Sequence, residues 1–163
     1  VVFTPKSLLR HPRATSSLAD CARGPFKRVI ADDRVKSDAR RVLLTSGKVY
    51  YDLLDKREEL KANDVAIVRV EQYYPNYMNQ LKKVLGAYSD GTPVYWVQEE
   101  PENMGAWRWL YARHGSRLFD RWPLEGIYRH RSASPATGSA SSHKLEQQQL
   151  LTVAFAEEQE NCE

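Results

Sequence analysis

At 163 residues the chain is long enough for one domain with a real core and too short for two ordinary ones. Its 24 basic and 21 acidic side chains nearly cancel to a net charge of +3, a mixed surface rather than the clustered positive charge of a dedicated nucleic-acid binder. No apolar run approaches the roughly 18 residues of a spanning helix, so neither nucleic acid nor membrane is expected as a partner.

The first residues, Val1-Val2-Phe3-Thr4-Pro5-Lys6, lack the basic, apolar and small-residue order of a signal peptide. Without an initiator Met, the start looks like a cut through a longer polypeptide. Residues 1–20 are rich in Pro, Ser and basic side chains and have no period. They predict an extended connector packed on something else, with Ser16 and Ser17 placed to cap a short helix over 18–23. The expected organisation is a connector over 1–23, one domain over 24–158 and a disordered tail over 159–163.

Residues 26–30 alternate enough for a strand, and 31–40 form a charged loop. A regular rhythm starts at Arg41, with a short buried strand over 42–46 and a turn at Gly47. The helix over 49–60 follows, with Tyr50, Leu53, Leu54 and Arg57 at helical spacing. Residues 64–70, Asp-Val-Ala-Ile-Val-Arg-Val, are the clearest strand, covered on both faces. A helix over 77–88, a strand over 93–98, a helix over 105–114 and a strand over 125–130 continue the alternation. A small-residue loop over 132–142 then leads to a helix over 145–158, with Leu151, Ala154 and Phe155 in its apolar stripe. Strands alternating with helices of this length imply a mainly parallel sheet in an α/β fold, as a three-layer α/β/α sandwich.

The run Gln98-Glu99-Glu100-Pro101-Glu102-Asn103-Met104-Gly105-Ala106-Trp107 follows a buried strand, so its carboxylates sit at a strand's carboxyl end, where ligands and partners concentrate in open α/β sheets. Gly105 permits close backbone approach, and Trp107 and Trp109 supply large side chains, either as interface anchors or as core of the domain itself. The bland alternative is a polar turn joining a strand to a helix. Glu71 and Gln72 close the preceding strand and make a second polar edge beside it.

Catalytic constellations are lacking. Ser46-Gly47-Lys48 is not a phosphate loop, because Arg41 stands where the first glycine is required. There is no GxSxG elbow, and adjacent Glu99 and Glu100 would point to opposite sides of a continuing strand, which disfavours a shared-proton dyad. Cys21 and Cys162 read as free thiols in a reducing compartment. The four histidines, His11, His114, His130 and His143, are too scattered for a structural zinc site. A contact surface fits these residues better than a catalytic centre.

Five ordered stretches carry a family resemblance: Pro5-Lys6-Ser7-Leu8-Leu9-Arg10-His11-Pro12, Ser46-Gly47-Lys48-Val49-Tyr50-Tyr51-Asp52-Leu53, Val65-Ala66-Ile67-Val68-Arg69-Val70-Glu71-Gln72, the run from Gln98 to Trp107, and Ser132-Ala133-Ser134-Pro135-Ala136-Thr137-Gly138. From Pro5 to Phe155 the chain resembles the C-terminal part of the decarboxylating, thiamine-diphosphate-dependent first component of the 2-oxoglutarate dehydrogenase complex. The resemblance implies a transketolase C-terminal-domain-like fold, a mixed five-stranded sheet whose first strand runs against the others. It also implies a homodimer and a lipoyl-bearing second component as partner, with thiamine diphosphate and magnesium held by upstream domains and none in this chain. The family's GDG cofactor signature is absent, and Ser89-Asp90-Gly91 is a turn lacking it. No catalytic residue is therefore expected here. The compartment implied is the cytoplasm of a bacterium or the mitochondrial matrix of a eukaryote.

The resemblance further implies an effector site. Actinobacterial relatives bind acetyl-coenzyme A with a Gln at the position of Gln72 and two arginines shortly after it, where this chain has Asn79 and Gln80. Losing the guanidinium pair removes bidentate phosphate partners, for which Arg28 could compensate. The expected effector residues are Arg28, Lys48, Gln72 and Arg129, and the expected interface residues are Glu99, Glu100, Trp107 and Trp109. The rival reading is a stand-alone nucleotide or acyl-coenzyme-A sensing module using Lys48 and the arginines near Arg129.

Overall fold

The computed structural model describes residues 5–75 and 77–156. Its strands are β1 (Val29–Ile30), β2 (Arg41–Thr45), β3 (Val65–Val70), β4 (Val94–Pro101), β5 (Arg117–Leu118) and β6 (Trp122–Arg129). Its helices are α1 (Leu18–Arg23), α2 (Val49–Leu60), α3 (Met78–Leu85), α4 (Trp107–His114) and α5 (Ala140–Phe155). The sheet order is β1-β3-β2-β4-β6-β5; the four central strands are parallel and the two-residue strands at each edge are antiparallel.

Side-chain alternation sorts the core into two layers. Val42, Leu44, Ala66, Val68, Val94 and Trp96 face one side, where Leu81 and Leu85 of α3 and Leu110 of α4 cover them. Leu43, Val65, Ile67 and Val97 face the other side, against Val49 and Leu53 of α2 and Leu150, Ala154 and Phe155 of α5. The expected three-layer sandwich is therefore present, with its first strand reversed. The sheet has six strands rather than five, because residues 117–118 form a hairpin with β6 across Phe119 and Asp120, both at positive φ.

Other boundaries move for local reasons. Only Val29–Ile30 of the expected strand over 26–30 forms; beyond it the pairing is reduced to the Arg28 carbonyl, which accepts the Glu71 and Gln72 amides. At the other end of β1, the Asp32 carboxylate accepts the Ile67 amide at 2.7 Å in place of a strand. Asp32 also caps the backbone of Arg34 and Val35 and pairs with Arg57 at 2.5 Å, with both side chains buried. The charged loop is thus pinned by a dry ion pair.

Part of the connector also departs from the extended form expected: Lys6–Arg10 is a 3-10 helix. The segment packs on α2 through the His11 ring, 4.4 Å from that of Tyr51, and through Arg13, which pairs with Asp55. α1 is as expected, with Ser17 Oγ accepting the Asp20 amide. α5 begins five residues before the expected start, because Ser139 caps it by accepting the Ser142 amide. It ends at Phe155, where Ala156 turns to extended backbone, rather than at residue 158. The expected tail and Cys162 lie outside the described residues.

Candidate functional site

The turn after β4 is held from within by Gln98, which is only 4% exposed. Val97 lies opposite Ile127 and Pro101 opposite Arg129, so Gln98, Glu99 and Glu100 span what one residue spans on β6. This bulge swings the Gln98 amide into the turn. Its Oε1 accepts from Trp96 Nε1 at 2.9 Å and from the Trp107 amide at 3.0 Å, satisfying one of the free amides at the start of α4. Its Nε2 donates to the carbonyls of Met104 at 2.7 Å, Pro101 at 3.1 Å and Glu100 at 3.3 Å. Gly105 closes over this amide at φ +68°, and a Cβ there would stand 2.8 Å from both amide heteroatoms. Close approach is thus the reason for glycine at this position.

Outside the turn, the carboxyl edge of the sheet carries a chain of paired charges. Lys48 Nζ, at the start of α2, donates to Glu99 at 2.7 Å and lies 3.5 Å from Asp52. Asp52 accepts from Gln147 at 2.8 Å, and Gln147 accepts from Arg129 at 2.7 Å. Arg129 in turn lies 3.4 Å from Glu146, which also accepts the Thr137 hydroxyl. The chain joins α2, the bulge, the end of β6 and α5. Burial pulls the Lys48 ammonium pKa down, but Glu99 and Asp52 more than offset it, and the net shift is upward.

The four expected effector residues therefore fall into two groups. Lys48 and Arg129 belong to this paired chain. Arg28 and Gln72 meet at the β1 edge, where the Arg28 carbonyl accepts the Glu71 amide at 2.8 Å and the Gln72 amide at 3.3 Å. Gln72 Nε2 is turned to the Pro75 carbonyl, and Asn79 and Gln80 are exposed on the first turn of α3. Three strand spacings of about 4.8 Å separate β3 from β6. The two groups do not converge on one pocket.

The expected interface residues also divide. Glu99 is committed to Lys48, whereas Glu100 is exposed and makes no ion pair among the described residues. Trp107 is 7% exposed, packed at a tilt against the rings of Tyr111 and Tyr128 and against the backbone of Gly126, so it is core rather than a surface anchor. Trp109 is 41% exposed. Tyr77 lies beside it, its ring 6.3 Å from the indole; burial pushes the Tyr77 hydroxyl pKa up to about 12.

Sequence reasoning missed Gln98 as the hub, and Asp52, Glu146 and Gln147 as network members. The i,i+4 spacing of Lys48 and Asp52 was the one available signal. Among the described residues no three His, Cys, Asp or Glu side chains are grouped to hold a metal ion, and no helix is long and apolar enough to cross a membrane.

Residues 15–155 match the family model described as 2-oxoglutarate dehydrogenase C-terminal. The 2-oxoglutarate dehydrogenase E1 component of Cupriavidus necator is 42% identical over 96% of this chain, and that of Azotobacter vinelandii 44% over 95%; the chain covers 17% of each. The multifunctional 2-oxoglutarate metabolism enzyme of a Mycobacterium species (strain JLS) is 37% identical over 96% of the chain, which covers 13% of it. A solved split-gene transketolase aligns at a TM-score of 0.49 and 12% identity, over 79% of this chain and 42% of that one, a likeness too low to carry an argument. The chain thus spans about a sixth of the length of these E1 components and 13% of the mycobacterial enzyme, and these relatives lend no support to a stand-alone sensing module. Matched from residue 15 to 155 by the family model and along nearly all its length by these relatives, the chain belongs to the 2-oxoglutarate dehydrogenase C-terminal family.

Proposed function

We propose that this chain serves as the C-terminal domain of a complete 2-oxoglutarate dehydrogenase first component, supporting a homodimer and contributing binding energy rather than chemistry. The match over residues 15–155 carries the reading. In it, residues 24–158 form the domain and 1–23 the connector. Thiamine diphosphate and magnesium belong to upstream domains, a lipoyl-bearing second component takes the succinyl group, and the enzyme works in the bacterial cytoplasm. The carboxyl edge supports a scaffold role, because Lys48 is paired with Glu99 and Asp52, and Arg129 with Glu146, so that these charges are committed to one another.

In this reading Glu100 and Trp109 form the contact surface, with Glu99 held by Lys48 and Trp107 supporting them from the core. Arg28 and Gln72 remain an effector edge, while Lys48 and Arg129 act on effectors only through the paired chain. The test is single-turnover decarboxylation of 2-oxoglutarate by the full-length enzyme carrying Glu99→Gln or Glu100→Gln, with dimerisation followed by sedimentation. Losing a proton-transfer group costs about 10²- to 10⁴-fold. Rates within a few-fold of the parent are expected, whereas a hundredfold loss in a fully dimeric, cofactor-loaded variant would make that carboxylate catalytic.

A further inference from the structure

The edge strand β1 has a free side. In its antiparallel pairing with β3, the Arg28 carbonyl bonds the Glu71 amide, and Ile30 lies opposite Arg69. Paired positions alternate, so the intervening residue, Val29, directs its N–H and C=O away from β3. No backbone group among the described residues bonds to that side. Between β1 and α3 lies an open groove of about 740 Å³. Its apolar wall includes Phe26, 72% exposed, together with Val84 and Tyr88. Its lining also includes Lys27, Arg28, Lys36 and Lys83, all exposed. The lining carboxylates are Asp33 and Asp32, of which Asp32 is consumed by Arg57 and the Ile67 amide; outside the lining, Asp20 feels the charge of Lys27.

An unpaired strand edge beside a helix, with an apolar floor, is the geometry by which extended peptides add a strand to a sheet. We propose that this groove docks an acidic, extended segment of a partner protein by strand addition to β1. The main chain of the segment pairs with Val29, its apolar side chains lie toward Val84 and Tyr88, and its carboxylates meet the lysines. A second copy of this chain would bring the same four cations to the contact, which excludes self-pairing by charge. The inference is independent of the domain's place in a larger enzyme.

The probe is a short fluorescein-labelled peptide alternating glutamate and valine, titrated against the whole chain by fluorescence anisotropy and compared with its lysine–valine counterpart. Saturable binding of the acidic peptide alone is expected, weakened by added salt and by about tenfold or more in the Lys36→Glu, Lys83→Glu double variant. Hydrogen exchange at the Val29 amide should slow in the complex. Val29→Pro removes that donor without removing a bond to β3, and should weaken binding comparably. No saturable binding, equal binding of the basic peptide, or unchanged exchange at Val29 would each overturn the proposal. Inorganic pyrophosphate provides the contrasting arm: pyrophosphate binding that the lysine variant abolishes, with no acidic-peptide binding, would make the groove an anion site instead.

Discussion

Helix α2 is anchored by a cation at each end, and the two ends work on opposite terms. Lys48 stands at the amino end, against the helix dipole, and its ion pairs with Glu99 and Asp52 are partly open to water. Arg57 sits in the last turn, where the dipole favours it, with its side chain 5% exposed and that of Asp32 2% exposed. The distances to the partner carboxylates are similar, at 2.7 and 2.5 Å. What differs is what remains when one partner is lost: water can solvate the survivor at the Lys48 end, but a buried charge is stranded at the Arg57 end.

The largest effect is therefore expected from Asp32→Ala. It strands the Arg57 guanidinium and the Ile67 amide, and should cost about 3–5 kcal/mol in chemical denaturation. Replacing both partners with apolar residues, Asp32→Leu with Arg57→Met, should recover much of that loss. A single-variant cost below about 1 kcal/mol would place both ends of α2 on equal terms.

Gly105→Val probes whether the open end is stiffened by Gln98 rather than by the Lys48 pairs. Its Cβ would collide with the Gln98 amide at a positive φ, and a loss of about 1–3 kcal/mol is expected. An unchanged midpoint would show that the turn yields freely.

Lys48→Met should cost the least, under about 1 kcal/mol near neutral pH. The sign of its pH dependence follows from the upward shift. The pairing contribution is complete below the ordinary lysine pKa of 10.5 and is lost as pH rises through the higher folded value. Parent and variant should therefore converge in stability at strongly alkaline pH. A gap that widens there would mean that Glu99 and Asp52 do not hold the proton on Lys48.

Features with local causes were legible in the sequence. The bounds of α2 follow from Gly47 and the apolar spacing after it, and β3 from its β-branched run. Strand β5 escaped because two residues have no period, and its hairpin depends on the left-handed backbone at Phe119 and Asp120. The Asp32–Arg57 pair joins a loop to a helix 25 residues away, and nothing local marks either partner as buried. Gln98 reads as the polar end of an apolar strand, although its amide organises the turn beyond. Trp107 and Trp109 could have been separated, since helical residues two apart do not share a face. The Gly126 backbone on which Trp107 rests was beyond sequence reasoning.

The carboxylate of Asp32 makes Ile67 an unusual witness. An amide in a strand interior normally trades its proton for deuterium only when neighbouring strands separate, whereas this one is shielded by a side chain from the loop over 31–40. Loosening that loop would free the Ile67 proton while its neighbours in β3, held by β2, kept theirs. A single amide of β3 thus acts as a clock for a surface loop, timing departures of the loop that leave the rest of the domain folded.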